Sequence, residues 1–260
     1  MRQATSEDAL LGGRLTYRQF RTGYRTGIEP VLLAAAIPAR AGERILDAGC
    51  GAGAALLCLC HRVPALAAHG IEADPETLAL ARCNLALNGL DARLHQAILP
   101  ALPGPGPAAD ALPVGPDPRQ PRRGSFDHIL ANPPWHRADA TASLVPRRDL
   151  ARRADRGLLT EWTELLSSML VPGGTLSLIL PASLHAQACA ALHRSGMIGG
   201  LTLMPFWPKA GRPAKIVLLR GRRGSRAAAA ILPGLILHRD DGGYTPDAER
   251  VLRDGAPLDL

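Results

Sequence analysis

The sequence has few aromatic residues and no long apolar segment. Tryptophan, tyrosine and phenylalanine make up only 3% of the 260 residues, so each of them carries more information than usual. Prolines and glycines interrupt the longest apolar runs before they reach the roughly 18 residues that a membrane-spanning helix needs. The first residues, MRQATSEDALLGG, include acidic side chains and no apolar run, which argues against a secretory signal. We therefore expect a cytoplasmic protein without a membrane span.

The five cysteines are also sparse, and they do not occur at metal-ligand spacings. Cys58 and Cys60 are two residues apart on a predicted helix, so they point to different faces. No second pair at a ligand spacing accompanies them and His61, and the other three cysteines stand alone in apolar surroundings. We expect buried free thiols and no bound metal.

The chain is long enough for one large α/β domain, and its 47% of apolar residues can form a sizeable core. No internal repeat of 20 to 50 residues is present, which excludes a solenoid. The formal charge is +7 and the pI is near 9.7. Such a balance favours a polyanionic partner such as nucleic acid.

Apolar runs alternate with helical patterns from about residue 44 onward, which is typical of a parallel α/β sheet. The late segments GLTLMPFW and AKIVLLRG predict an antiparallel pair. Residues 99–125 are rich in proline and glycine and predict a long surface loop. The C-terminal extension at 234–255 predicts a short strand and a helix capped by Thr245, with Pro246 at its first position.

The segment LDAGCGAG joins the first predicted strand to a helix. Gly49, Gly51 and Gly53 allow a tight turn whose backbone can approach a ligand closely, although Ala54 stands where a nicotinamide-binding fingerprint requires glycine. Glu72 ends the next strand and is placed to bind both hydroxyls of an adenosine ribose. Asp47 beside the turn suits a ligand with a positively charged amino acid end. S-adenosylmethionine is such a ligand.

The segment ILANPPWHRADA follows the fourth predicted strand with an Asn, two prolines and one of only three tryptophans. Two prolines make the exit from the strand stiff and extended. The carbonyl groups of the Asn132 side chain and of Pro133 can accept both N–H bonds of a conjugated amine and favour its nucleophilic geometry. Pro134 keeps the segment stiff, and Trp135 can stack on a flat substrate.

Together, LDAGCGAG, IEAD and NPPW resemble the class I S-adenosylmethionine-dependent methyltransferases that act on amino nitrogens. Within these, the chain is most similar to the bacterial tRNA(Val) adenine-N6 methyltransferase family, through GYRTGIEPVLLAAAI, GRPAKIVLL and LILHRDDGGYTPDAERVLR. The similarity covers roughly residues 14 to 255. It implies a Rossmann-like seven-stranded sheet with helices on both faces and an antiparallel last strand, in a domain at 44–260. Residues 1–43 would form an N-terminal segment that covers the cofactor site.

The resemblance also implies roles for single residues. Catalysis would fall to Asn132, Pro133, Pro134 and Trp135, the last of which stands where the family more often has Tyr or Phe. The expected cofactor-binding residues are Tyr24, Arg25, Gly27, Asp47, Gly49, Gly51, Glu72, Gln96 and Asn132.

One position departs from the family. The family's third strand usually ends in an Asp that binds the cofactor's adenine amine, and this chain has Ile98 there, with Gln96 nearby. Either Gln96 or a residue of the following loop makes that hydrogen bond, or the cofactor is bound less tightly.

The positive charge is clustered in three places. Arg147, Arg148, Arg152 and Arg153 belong to the cluster that begins about a dozen residues after the NPPW motif, and we expect them to contact RNA phosphates. A second cluster ends the proline-rich loop. For the third, which begins at Arg220, a solvated face and an RNA contact are equally acceptable interpretations.

Two other functions stay open. Enzymes that methylate the glutamine side chain of release factors use the same NPP motif, but they usually carry a helical N-terminal domain, whereas only about 40 residues precede the first predicted strand here. A methyltransferase-like module that binds RNA without turnover is the other alternative.

Overall fold

The computed structural model describes residues 4–23, 25–99, 121–133 and 156–260, and of residues 156–158 the backbone alone. The strands are β1 (Thr5–Leu10), β2 (Leu15–Phe20), β3 (Arg44–Ala48), β4 (Ala67–Glu72), β5 (Arg93–Gln96), β6 (Phe126–Ala131), β7 (Leu170–Pro181), β8 (Ile198–Trp207), β9 (Ile216–Arg223), β10 (Ala230–Ile231) and β11 (Leu235–Ile236). The helices are α1 (Glu29–Ala36), α2 (Ala54–Arg62), α3 (Pro75–Leu87), α4 (Arg156–Met169), α5 (His185–Arg194) and α6 (Pro246–Leu252), with short 3₁₀ turns at Leu11–Gly13 and Ala182–Leu184.

Nine strands form one sheet in the order β10–β8–β9–β7–β6–β3–β4–β5, with β11 also paired to β8. Seven of them make the core, from β8 to β5, and β10 and β11 add two residues each beside β8. β9 is antiparallel to both of its neighbours, whereas the other core strands run parallel. The predicted seven-stranded sheet with an antiparallel last strand is therefore confirmed.

Helices cover both faces of this sheet because successive strand residues point to opposite sides. In β3, Ile45 packs into one apolar cluster with α1, α2, α3 and α6, while Leu46 packs into a second cluster with α4 and α5. Both side chains are fully buried. Strands buried on both faces are continuously apolar, which explains why runs such as FDHILA could be recognised in the sequence.

The N-terminal segment contains an antiparallel hairpin, β1–β2, that the sequence analysis did not predict. Side chains of β1 alternate between exposed and half-buried, so its apolar signal is weak. The free edge of β2 is closed by two amides of α3. Asn84 and Asn88 each exchange hydrogen bonds of 2.8–2.9 Å with the backbone of β2.

The sequence predicts the wrong end for one helix. The segment RGLLTEWTELLSSMLVPGG predicts a helix that is closed by Gly173-Gly174, but α4 ends at Met169 and β7 begins at once. The two glycines lie instead where the register of β7 against β6 shifts between Phe126 and His128. A glycine pair marks a strand irregularity as well as a helix end, and sequence alone does not separate the two.

The C-terminal extension forms as predicted. The Thr245 side chain accepts the N–H of Ala248 at 3.2 Å, and Pro246 occupies the first turn of α6. β11 provides the short strand before it. The predicted loop at 99–125 lies largely outside the described residues. No helix among the described residues is both long and apolar enough to cross a membrane.

Candidate active site at the carboxyl ends of the parallel strands

Four predicted site residues stand at the carboxyl ends of adjacent parallel strands. Glu72, the last residue of β4, pairs in register with Gln96, the last residue of β5. The residue after Asp47 on β3 pairs with the residue before Asn132 on β6. Because β5, β4, β3 and β6 are neighbours, the four side chains line one edge of the sheet. Ligands of open α/β sheets bind at this edge.

Asp47 has a buried carboxyl group, and one of its oxygens has no hydrogen-bond partner among the described residues. The residue is only 3% exposed, and this oxygen is Oδ2. Burial, with a smaller contribution from Glu72, raises the pKa of Asp47 to about 7. A buried carboxylate without a partner is costly. A cationic ligand group at this position would offset that cost.

The glycine turn after β3 has the backbone that its sequence predicts. Gly49, Gly51 and Gly53 all lie in the left-handed region, with φ of 76°, 56° and 87°. The N–H groups of Gly49 and Cys50 both donate to the Ile71 carbonyl at 2.9 Å, which ties the turn to the end of β4. Side chains other than glycine would be strained at these φ values. The turn is therefore fixed close to the strand ends.

The Glu72 carboxylate is oriented by the backbone around it. Its Oε2 accepts the N–H of Gly51 at 3.0 Å, and its Oε1 accepts the N–H of Asp74 at 2.9 Å. A carboxylate has about four acceptor positions, so each oxygen keeps room for a further donor. Glu72 can therefore accept two ligand hydroxyl groups while it holds the glycine turn.

The structure describes only the first half of the NPPW motif. Asn132 is half-buried and Pro133 is buried directly after β6, beside the end of β3. Pro134 and Trp135 lie outside the described residues. Their predicted roles, stiffening the motif and stacking on the substrate, stay predictions.

Gln96 is placed beside the predicted ribose-binding residue. It is exposed, and the next residue, Ala97, donates its N–H to the Glu72 carbonyl at 3.1 Å. Ile98, at the position where the family has Asp, is 49% exposed. The β5 end therefore presents the Gln96 amide where an adenine-binding group is expected.

Trp162 on α4 is a site-forming residue, although the sequence predicts only a packing role for it. A Cβ atom on Gly49 would lie 3.2 Å from its ring, so the ring rests against the glycine turn. Its Nε1 donates to the Leu99 carbonyl at 2.6 Å, in the segment after β5. The indole is only 7% exposed, and it connects the glycine turn to the segment after β5. The scarcity of tryptophan was the one signal that could have indicated this.

Asn84 is a second residue that the sequence analysis missed. This fully buried side chain donates to the carbonyls of Arg18 on β2 and Ala52 in the glycine turn, at 2.8 and 2.9 Å. It also accepts the N–H of Arg18 at 2.8 Å. One amide therefore fixes the N-terminal hairpin against the glycine turn. Nothing in the sequence around Asn84 marks it as more than a helix residue.

The N-terminal residues predicted at the cofactor are partly described. Tyr24 lies outside the described residues. Arg25 binds the Asp8 carboxylate at 3.1 Å and the Ser6 hydroxyl at 3.0 Å. A Cβ on Gly27 would meet only the end of the Glu29 side chain, which is flexible and can move. Arg25 is thus engaged within the hairpin, and cofactor contacts from this segment stay predictions.

The predicted RNA-binding residues Arg147, Arg148, Arg152 and Arg153 lie outside the described residues. The third basic cluster lies within the described residues, and its arginine side chains donate hydrogen bonds to backbone carbonyls. Arg220 donates to Ala36 and Leu260 at 3.1 and 2.7 Å, Arg222 donates to Gly173 at 2.9 Å, and Arg223 donates to Leu170. These three arginines have a structural role, Arg220 in the middle of β9 and Arg222 and Arg223 toward the edge opposite the site.

Comparisons with known proteins agree with this geometry. Residues 45–114 match the family model described as Methyltransferase domain. A predicted O-methyltransferase from Agrobacterium tumefaciens has a solved structure with a TM-score of 0.68, at 24% identity, covering 88% of this chain and 98% of that one. The chain therefore has the fold of the class I methyltransferases, with a methyltransferase domain pattern at residues 45–114.

Relatives of the chain include a tRNA1(Val) (adenine(37)-N6)-methyltransferase from Yersinia pseudotuberculosis serotype O:3, which is 26% identical over 97% of this chain and 95% of that protein. The resemblance seen in the sequence is thereby confirmed over nearly the whole length. A 16S rRNA N2 G1207 methyltransferase from T. thermophilus, solved with AdoMet and guanosine, matches with a TM-score of 0.53 at 20% identity, over 85% of this chain and 50% of that one.

The described residues fit S-adenosylmethionine, the cofactor that the sequence leads us to expect. The unpartnered Asp47 oxygen suits the cofactor's amino group, and the free acceptor positions of Glu72 suit the ribose hydroxyls. Among the described residues, no group of three or more His, Cys, Asp or Glu side chains could hold a metal ion.

Cys50, Cys58 and Cys60 are buried free thiols, as predicted, whereas Cys83 and Cys189 are half-buried. Burial raises the pKa of Cys58 and Cys60 to about 12, so both stay protonated and unreactive at neutral pH.

Proposed function

We propose that this methyltransferase methylates the N6 amine of an adenine in tRNA, in the anticodon-loop region. The observation that carries the proposal is the position of Asn132 and Pro133 at the end of β6, beside the strand that carries Asp47. Curated relatives that align with 97% of the chain are named tRNA1(Val) (adenine(37)-N6)-methyltransferases. The net charge of +7 suits a nucleic-acid substrate.

Two carbonyl groups of the protein would make the adenine amine a better nucleophile. An exocyclic adenine amine is a poor nucleophile because its lone pair is delocalised into the ring. The Asn132 side-chain carbonyl and the Pro133 carbonyl accept its two N–H bonds, which favours tetrahedral geometry at nitrogen. Two acceptors fixed by a proline-stiffened backbone act mainly by positioning and electrostatics. The proton lost by the amine can leave to water, so no general base is needed.

The cofactor would be held by four elements. When bound, S-adenosylmethionine supplies a methyl group on a positively charged sulfur. Asp47 would bind its amino group, Glu72 its ribose hydroxyls, the backbone at Gly49 and Gly51 its central part, and Gln96 its adenine. Asn132 lies beside this group of residues, at the point where the substrate amine must reach the donor.

The substrate base would enter from solvent and stack on Trp135. Arg147, Arg148, Arg152 and Arg153 would contact the phosphates around it. A base in an anticodon loop is already unpaired, so turning it into the site costs little. With tRNA as the substrate, the protein would act in the cytoplasm.

Asn132→Ala tests this proposal. The variant removes one of two acceptors for the amine without touching Asp47 or Glu72. We expect methyl transfer to tRNA to fall by about 10²-fold or more, as on loss of one oriented hydrogen-bonding group, while cofactor affinity measured by calorimetry changes little. Tritiated S-adenosylmethionine and tRNA from a strain lacking the protein provide the assay.

Purified release factor is the competing substrate in the same assay. The described N-terminal residues form a β-hairpin rather than a helical domain, which favours tRNA over release factor. Label in release factor and none in tRNA would contradict the proposal. Cofactor binding with no label in either would point to a module that binds without turnover.

A further inference from the structure

A groove lies at the carboxyl end of β8, away from the proposed catalytic residues. It has a volume of about 590 Å³ and lies between the turn after β8 and the segment that joins β10 to β11. The indole of Trp207 forms one wall, and exposed residues of the turn, among them Arg212 and Pro213, form the other. β8 runs parallel to β6, so this groove opens at the same edge of the sheet as Asn132.

The Trp207 ring is fixed in place. Its Nε1 donates to the Pro233 carbonyl at 3.0 Å, and its backbone carbonyl accepts the N–H of Leu237 at 2.8 Å. Gly234, with φ of 84°, passes so close that a Cβ there would lie 2.7 Å from the indole nitrogen. A rigid, half-buried aromatic face with its polar atom already satisfied is suited to stacking against a flat ring.

The turn beside this ring is basic. Lys209, Arg212 and Lys215 occur within seven residues that include no acidic side chain. Lys209 donates to the Asp240 carbonyl at 3.0 Å. Arg212 and Lys215 are exposed and form no ion pair with any described residue. Asp241 in the C-terminal extension is paired with Arg239 at 3.2 Å. A ring-stacking wall with free cations beside it is complementary to a nucleotide.

The distance to the catalytic residues fits an RNA strand. β6 and β8 are separated by β7 and β9, so their ends lie three strand spacings, about 14 Å, apart across the sheet. The strand registers also place Trp207 about 10 Å beyond Asn132 along the strand direction, so the groove lies roughly 17 Å from Asn132. That is about the length of five stacked nucleotides at 3.4 Å each. A single-stranded segment could therefore occupy both places at once.

We propose that this groove binds a nucleobase of the substrate RNA, a few nucleotides from the target adenine. Trp207 stacks on the base, and Arg212 contacts the adjoining phosphate. The inference rests on the proposed tRNA function and adds a second base-binding position to it.

The test uses the full-length protein and the fluorescein-labelled anticodon stem–loop of tRNA(Val), with S-adenosylhomocysteine present. Trp207→Ala should weaken binding about 5- to 150-fold, the range that corresponds to loss of one stacked base. Trp207→Phe, which keeps an aromatic face, should retain most of the affinity. Cofactor affinity, measured separately by calorimetry, should stay unchanged in both variants because the groove is remote from Asp47 and Glu72.

A direct readout of stacking comes from 2-aminopurine placed at each loop nucleotide near the target. Its fluorescence should be quenched at one position by wild type and Trp207→Phe, but not by Trp207→Ala. A purely structural role of Trp207 would not produce this pattern. Quenching at no position in wild type would overturn the proposal.

Arg212→Gln has a matched control in Arg226→Gln. Both arginines are exposed, but Arg226 follows β9 near the opposite end of β8. Loss of one phosphate contact should lower the slope of log affinity against log salt by about 0.7 for Arg212→Gln, and leave it unchanged for Arg226→Gln. Equal slopes in the two variants would overturn the phosphate contact even if Trp207→Ala failed to fold.

The tRNA methylation and the base-binding role of the groove can be contradicted separately. If wild type methylates tRNA and Trp207→Ala binds and methylates it equally well, only the groove assignment is overturned. If wild type neither binds the stem–loop nor methylates tRNA, the tRNA function fails and the groove assignment fails with it. Loss of release-factor methylation alone in Trp207→Ala would show that the groove binds a peptide and would also overturn it.

Discussion

At the scale of single residues, Asp47 determines how the site responds to pH. Its pKa in the folded protein is about 7, against 3.8 for an ordinary Asp, because burial disfavours the charged form. Between about pH 4 and pH 7 the folded protein keeps a proton that the unfolded chain has lost. The free energy of unfolding therefore falls as pH rises through this window and levels off above it.

The Asp47→Asn variant should lose this pH dependence. Relative to wild type, its free energy of unfolding without cofactor should increase as pH rises from 4 to 8, by up to about 4 kcal/mol. Urea unfolding at several pH values measures the difference. A constant difference between the two proteins across this range would contradict the assignment of the raised pKa to Asp47.

The same carboxyl group should couple cofactor affinity to pH. Because a cationic amino group binds the ionised form, wild-type affinity for S-adenosylmethionine should rise from pH 5.5 to 7.5, by no more than tenfold per unit. Calorimetry should show a flat and weaker profile for Asp47→Asn. Glu72, the proposed ribose-binding residue, is unchanged in this variant, so the ribose contacts should be the same in both proteins.

At the scale of secondary-structure elements, two polar side chains join parts of the site that are distant in sequence. Trp162 connects α4 to the segment after β5, and Asn84 connects α3 to the hairpin and the glycine turn. Sequence analysis located the strands, because continuous apolar runs and glycine turns are local signals. It could not find these two connections, because each depends on which backbone carbonyl lies opposite in the folded chain.

Trp162→Phe isolates the first connection. The variant keeps an aromatic ring against Gly49 but loses the hydrogen bond to the Leu99 carbonyl. A net hydrogen bond contributes about 0.5–1.5 kcal/mol, so we expect cofactor affinity to fall roughly 2- to 10-fold with a small change in Tm. Unchanged affinity would show that the segment after β5 is held by other contacts.

Asn84→Ala isolates the second connection, and Asn88→Ala is its matched control. Asn84 is fully buried and makes hydrogen bonds to β2 and to Ala52, so its loss should reduce the free energy of unfolding by about 2–4 kcal/mol. Asn88 binds the same hairpin but makes no contact with the glycine turn. Only Asn84→Ala should therefore also weaken cofactor binding, and equal cofactor affinities would contradict a role for Asn84 in the turn.

At the scale of the whole molecule, the strand order could not be read from the sequence. The alternating pattern predicted a parallel sheet, but only the pairing β5–β4–β3–β6 shows that Gln96, Glu72, Asp47 and Asn132 share one edge. The N-terminal hairpin was missed because its strands are half-exposed and are completed by side-chain amides rather than by the main sheet.

The net charge of +7 is a weaker indication of RNA binding than its size suggests. Arg220, Arg222 and Arg223 donate hydrogen bonds to backbone carbonyls, the last two toward the edge opposite the site, so a part of the positive charge stabilises the fold. Arg212 and Lys215, by contrast, lie at the edge that carries Asn132. The distribution of cations between the two edges, more than their number, is what the tRNA proposal requires.

The most direct test of the central claim is the chemical identity of the product. tRNA from a strain lacking the protein would be incubated with the enzyme and labelled S-adenosylmethionine, digested to nucleosides and separated by chromatography with mass detection. We expect label in N6-methyladenosine, and about 10²-fold less of it or lower with Asn132→Ala. Label in a methylated guanosine or on a ribose oxygen would contradict it, because the Asn132 and Pro133 carbonyls would then not be selecting an adenine amine.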